Sequence, residues 1–415
     1  MAKLKAPLFS ISAHGTIGDA LTYARRRSRE ITRYQKGQKD YENLARTIVR
    51  NRYKEAAETW GLLTAQQKAD WRALTTEKLP TNWNAYLSHY IKSIIDGKPC
   101  IKLADLTTWL SRTKRYTMQS GENLARSITT DAIYAWLMLD DTPPKLIRVL
   151  KSNPASRTTY TFESTEHDPY KMVDDGTYLW ISVYRAPGKL IRVLKSNPAS
   201  RTTYTFAAGE NYAFAITEDT TYVWVGLLTS PAKLVRVLKS NPASRTTYTF
   251  AAGEDSMRAL ADDGTYVWAG LYTSPAKLVR VLKSNPASRT TYTFAAGENK
   301  INCMVQDGTH VWVGTYTYPG ALIRVLKSNP ASRTTYWLAS GENAPWGIAD
   351  EGSRIWLGCH ISPAKLIRVL KSNPASRTTY TFESGENSAL AVAQDGTYVW
   401  VGLNTTPAKV IKFWQ

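Results

Sequence analysis

The sequence predicts a mainly β chain. Its carboxyl-terminal three-quarters is a seven-bladed β-propeller, and a small α+β domain precedes it. Three observations carry this. The decapeptide KSNPASRTTY is written six times without an error, at 151–160, 195–204, 239–248, 283–292, 327–336 and 371–380. Tryptophan recurs on the same 44-residue clock, at Trp136, Trp180, Trp224, Trp268, Trp312, Trp356 and Trp400. No stretch of the repeat has a 3.6-residue apolar period, and about 44 residues is the length of a four-stranded blade.

Each unit reads as four strands. In the last one, SALAVAQ (388–394) alternates apolar residues, and Asp395-Gly396 supplies a tight turn. TYVWVGL (397–403) is rich in β-branched and aromatic residues. Elsewhere in the array a proline turn leads to KLIRVLK, SNPAS reverses the chain, and RTTYTF closes the unit. The strand types run out of step at the two ends of the array. The outer-type strand 113–118 enters first and the third-type strand 409–415 leaves last. Pairing them completes a seventh blade and removes a free sheet edge.

Domain limits follow: residues 1–96 form the α+β domain, 97–112 a linker and 113–415 the propeller. In the first part, residues 19–35 read as a basic hairpin with Arg25, Arg26, Arg27 and Arg29 near its turn. Helical patterns follow at 41–63, 64–77 and 81–96. The second opens with a Thr64-to-Gln67 capping box, and Trp60, Trp71 and Trp83 are candidates for its small core.

Composition narrows the function classes. The 415 residues carry a net charge of +19, to which residues 1–100 contribute 18 Lys+Arg against 9 Asp+Glu. Such a surface suits polyanionic partners, including nucleic acid, anionic glycan or an acidic protein lattice. No apolar run approaches a membrane span, and the amino terminus does not read as a secretory signal. Three cysteines (Cys100, Cys303, Cys359) and five histidines show no disulfide or metal spacing, so no metal or cofactor is expected. No nucleophile stands beside a base, and no glycine-rich phosphate loop occurs, so an enzyme is not expected.

The seven units can be compared within the one chain. The third strand, its hairpin and the fourth strand barely change, whereas the segment after each GEN-like turn and the loop after the tryptophan strand drift. Both drifting parts fall at one end of a propeller, where loops on a rigid scaffold usually carry binding residues. The candidate contact residues at this mouth are Tyr170, Tyr212, Phe214, Arg258, Asn302 and Trp346, a mixture suited to sugar or protein recognition. The repeated Arg148, Lys151 and Arg157 admit two readings, a phosphate-binding rim or solvated charges that guard outer edges. The repeated Glu122, Glu166, Glu210, Glu254, Glu298, Glu342 and Glu386 are read as turn residues bonded to backbone or arginine, with a cation-binding ring as the alternative.

Two resemblances bear on these readings. The segments DGTYVWVG (395–402), DGTYVWAG (263–270) and DGTHVWVG (307–314) resemble the sensor-type propeller repeat with an Asp-Gly-x-x-Trp-x-Gly core. EGSRIWLG (351–358) departs from it but keeps Trp and Gly. That resemblance implies the fold and says little of function. Residues 5–95, with GTIGDALTYARRR and QQKADW, resemble small structural proteins of tailed viruses. This second resemblance implies a virion component assembled in the host cytoplasm in many copies. Its first domain, with Arg25, Arg26, Arg27 and Arg29, would contact capsid or tail, and the propeller would face a host-surface glycan or protein. A ligand-free decoration plate remains open. So does a DNA-binding protein, because the helical pattern also looks like a high-mobility-group box.

Overall fold

The computed structural model describes the backbone of residues 15–17, 21–26 and 29–34, and residues 113–414. The chain divides into two units, Met1–Ser111 and Arg112–Gln415. In the first, Gly15–Ile17, Leu21–Arg26 and Arg29–Tyr34 form a three-stranded antiparallel sheet. The register sets Arg25 opposite Glu30 and Arg26 opposite Arg29, so these arginines lie at the hairpin's turn end. Arg27, the three helical patterns and the linker 97–112 lie outside the described residues.

The second unit is a propeller of seven four-stranded antiparallel sheets. Blade one comprises Ala125–Thr130, Tyr134–Leu139, Lys145–Leu150 and Arg157–Thr161, from the axis outward. Blades two to six repeat this order. They start at Pro169, Ala213, Met257, Ile301 and Pro345. Blade seven takes three strands from Ala389–Trp414 and its outer strand, Thr113–Thr117, from the start of the array. The pairing of Lys409 with Thr117 through Phe413 with Thr113 closes the ring as the strand order predicts.

The core lies between blades. Each repeated tryptophan is at most 1% exposed. Trp268 of blade four sits among Val311, Val313 and Ile323 of blade five, and Trp400 of blade seven among Ala135, Leu137 and Ile147 of blade one. A buried tryptophan removes some 150–250 Å² from water, about 4–6 kcal/mol of apolar stabilisation each.

The motif residues serve this packing. Asp395 Oδ1 accepts the amides of Thr397 and Tyr398 at 3.0 and 2.7 Å, closing the hairpin, while Oδ2 accepts the Trp400 indole N–H at 2.8 Å. The same bond satisfies Trp136, Trp180, Trp224, Trp268 and Trp312 through their own aspartates. In blade six Glu351 replaces the aspartate and still takes the indole N–H of Trp356. The final glycine makes room for the neighbour: a Cβ on Gly358 would stand 2.5 Å from the Ala389 carbonyl oxygen of blade seven.

The unchanging basic residues are structural ties, not free edge charges. Arg148 lies over Tyr134, Trp136 and Tyr160 of its own blade, at 4.8, 5.9 and 5.8 Å from the ring centroids. Lys195 bridges blades, reaching Asp131 of blade one at 3.0 Å and Asp174 of its own at 2.7 Å. Arg157 pairs with Glu122 at 3.2 Å, and the equivalent arginines of the next five blades do likewise. In blade seven the outer strand's Arg115 takes that place on Glu386. These glutamates are buried at the start of each blade. Glu122 accepts the Gln119 amide at 2.8 Å and the Thr159 hydroxyl at 2.7 Å, so its oxygens are spent on the turn rather than held for a cation. That agrees with the reading as turn residues.

Candidate functional site

The end of the ring that gathers the drifting segments is built the same way seven times. After each glutamate comes a residue in the left-handed region: Leu124, Asp168, Tyr212, Ser256, Lys300, Ala344 and Ser388, with φ between 49° and 63°. That conformation is uncommon for residues other than glycine. In six blades it is held by two backbone bonds, one to the loop after the preceding blade's tryptophan strand and one to the same loop of its own blade; Asp168 has only the second. The Tyr212 amide donates to Arg185 O at 2.6 Å, and Tyr212 O accepts the Leu228 amide at 3.0 Å.

Two residues further on, every inner strand has a β-bulge, which re-aims one side chain. The bulged residues are Arg126, Tyr170, Phe214, Arg258, Asn302, Trp346 and Leu390. Five of the six candidate contact residues therefore share one ring. Tyr170 and Phe214 pack with centroids 4.2 Å apart and their planes tilted by 36°. Arg126 covers Tyr170 at 5.2 Å, and Arg258 covers Phe214 at 5.2 Å and Trp346 at 5.9 Å. Arg258 Nη1 donates to Asn302 Oδ1 at 3.2 Å, and Asn302 Nδ2 donates to Pro345 O at 3.0 Å.

This ring closes the mouth more than it opens it. Phe214, Asn302, Trp346 and Leu390 are buried, and Phe214, Trp346 and Leu390 pack together with Tyr170, Tyr184, Leu228 and Tyr316 around them. Burial raises the Tyr170 phenol above its usual range, so it stays neutral. Tyr212 is different. It is exposed, and it stacks on Tyr184 at 4.8 Å outside the ring.

A second ring, from the loop after the tryptophan strand, comprises Asp140, Tyr184, Leu228, Tyr272, Tyr316, His360 and Asn404. Asp140 holds Arg126 at 2.9 Å, and burial raises this carboxyl despite the arginine. Burial, with repulsion from Arg126, lowers His360, leaving a neutral imidazole 5.1 Å from the Trp346 ring.

Blade five departs from the repeat at two outward positions. Trp337 stands where the other outer strands carry threonine, and Tyr318 where the other loops carry threonine, alanine or serine. Both are exposed, Tyr318 at 65% and Trp337 at 46%. With Tyr316, Pro319, Asn299, Lys300 and Ser274 they line a surface cleft of about 500 Å³. The signal was visible as RTTYWLAS (333–340) against RTTYTFAA (245–252), within a block read only as scaffold. Arg126 and Leu390 were also missed. Both stand 44 residues from a named candidate, Tyr170 and Trp346, so the period already placed them in the ring.

The two described cysteines are poor nucleophiles. Burial pushes both Cys303 and Cys359 up to about 12. Among the described residues no group of three or more His, Cys, Asp or Glu could hold a metal, and no helix is long and apolar enough to cross a membrane.

No protein-family model matches the chain, and no curated protein matches it in sequence. Solved structures do match in shape. Virginiamycin B lyase from Staphylococcus aureus superposes with a TM-score of 0.63 at 14% identity, over 73% of this chain and 99% of that one. The WD40 propeller domain of Doa1 gives 0.55 at 12% identity over 72% and 95%, and the WD40 repeats of RRP9 give 0.56 at 12% identity over 72% and 97%. Identities this low show a β-propeller and nothing of its activity. One neighbour is an enzyme, and that does not decide whether this chain is one.

Proposed function

We propose that this chain is a non-enzymatic virion structural protein whose propeller displays its variable rim to a glycan or protein on the host surface. The observation that supports this most is the division of labour within the repeat. Six identical cassettes hold the frame through ion pairs and buried tryptophans. The departures gather at one end and leave Tyr212, Tyr318 and Trp337 exposed there. Monomeric proteins seldom expose such rings without a partner, and flat aromatic faces beside amide and ammonium donors suit saccharides as well as protein hot spots. The resemblance of residues 5–95 to small structural proteins of tailed viruses supports attachment to capsid or tail through the basic hairpin. Many copies on one particle would turn weak single contacts into avidity.

In this reading the ring residues Tyr170, Phe214, Arg258, Asn302 and Trp346 support the rim from beneath, and the outward residues make the contact. A glycan array probed with the full-length protein and with a Tyr318→Ala, Trp337→Ala double variant tests it. Phe214→Ala serves as a folding control and should cost about 3–4 kcal/mol of stability. The surface changes should stay within about 0.5 kcal/mol. Binding that the double variant loses at unchanged stability supports the cleft as the contact. Equal binding by the double variant removes the cleft from the proposal. No binding to any glycan or host-cell surface leaves a decoration plate without ligand.

A further inference from the structure

We propose that the channel of the propeller binds one small free oxyanion, a phosphate or sulfate, between Lys171 and Arg258. Beneath the bulged ring lies a cavity of about 250 Å³, and Arg126, Lys171, Arg258, Asn302 and Cys303 contribute to its wall. None of its lining residues is a carboxylate. At about 30 Å³ per water, the space admits an oxyanion with several waters.

Lys171 follows the bulge of blade two. The same position is Ser127, Ala215, Ala259, Cys303, Gly347 and Ala391 in the other blades. Six small side chains thus surround the channel, and a single lysine stands among them. Burial, with repulsion from Arg126 and Arg258, brings its ammonium down to about 8.

The charges at this place are not balanced from within the described residues. Arg126 is answered by Asp140 at 2.9 Å. Lys171 and Arg258 have no carboxylate partner among the described ion pairs. Arg258 has Tyr272 under its guanidinium at 3.7 Å and one bond to Asn302, but its Nε is buried with no hydrogen-bond partner. A buried donor left unmade is costly. An anion here answers that donor and the half-buried ammonium and guanidinium together through short, charge-assisted bonds. Tetrahedral oxyanions offer enough acceptors for both at once.

The site is separate from the surface cleft of blade five, so its test is independent of the recognition proposal. Full-length protein is titrated calorimetrically with inorganic phosphate, then sulfate, at constant ionic strength. Lys171→Ala is compared with it, because blades three, four and seven already fold with alanine at this position; Lys171→Met is the second variant. The expected result is one saturable site per chain, weakened at least about ten-fold in both variants. Without oxyanion the variants should melt no lower than the parent, and at saturating phosphate the parent should melt higher. Absence of a saturable site in the parent overturns the proposal, as does equal affinity in the parent and either folded variant.

Discussion

Lys195 of blade two stands 3.0 Å from the carboxylate of Asp131 in blade one, and that carboxylate also accepts the Trp136 indole N–H at 2.8 Å. One aspartate thus closes a hairpin, satisfies a buried tryptophan and ties two blades. The tie recurs between Lys151 and Asp395, at 3.4 Å, across the junction of the last and first blades. Six perfect copies of KSNPASRTTY make sense on this basis. Every arginine and five of the six lysines have carboxylate partners that are themselves repeated, so a change at one of these leaves a carboxylate unanswered; Lys327 instead meets Gln306 and the Asp307 carbonyl.

Replacing Asp131 by alanine should destabilise the propeller by about 2–4 kcal/mol, because a buried indole N–H loses its partner and Lys195 keeps only Asp174. Lys195→Met should cost less, since the aspartate keeps its indole and amide donors. Urea unfolding of the two variants against the parent measures the difference.

Stability should fall on acidification. Burial by itself would raise Asp131, but the Trp136 indole, the amides of Tyr134 and Ile133 and Lys195 hold it down to about 2, against 3.8 ordinarily. Asp219, Asp307 and Asp395 are lowered in the same way. A lowered carboxyl contributes stability that is complete above its unfolded value and is lost as pH falls through its folded value. Melting temperature should hold down to about pH 4 and drop between about pH 4 and 2. Asp131→Asn should flatten that drop. An unchanged slope in this variant would show that other groups set it.

Gly358→Ala should cost about 1–3 kcal/mol, since the added Cβ would press on the backbone carbonyl of Ala389, which no rotamer change can relieve. Blades one and two carry Met138 and Ser182 at this position, so the constraint comes from the local neighbour and not from the motif as such. Thermal unfolding of the variant checks it.

A truncated chain that starts after Thr117 should lose the closed monomer. Without Thr113–Thr117 the strand Lys409–Trp414 presents an unpaired edge, and edges of this kind invite pairing between chains. Size-exclusion chromatography with light scattering should show more higher-order species than a chain that starts at Arg112 and keeps this strand. A stable truncated monomer would mean that closure by this strand is dispensable.

Much of the fold could be read in advance because its signals are local. The 44-residue spacing of Trp136 to Trp400, the Asp-Gly turns and the offset of strand types at the two ends need only the order of residues along the chain. The ring position of most candidate contacts was legible for the same reason, since it recurs in every unit. What could not be read was their exposure. Phe214 and Trp346 look like contact residues in sequence, yet the bulges turn them toward each other and bury them. Trp337 sat in a block read as frame and is exposed.

By itself, then, the sequence determined the repeat, the blade count, the closing strand and the end of the ring where variation collects. All four follow from hydrophobic alternation and turn chemistry acting over a few residues. Only the tertiary structure decided which charges are answered and which are not. Arg157 meets Glu122 and Lys195 meets Asp131, whereas Lys171 and Arg258 meet no carboxylate among the described ion pairs. Contacts of that kind depend on the twist of each sheet and on the closure of seven of them into one ring, and no spacing along the chain encodes that distance.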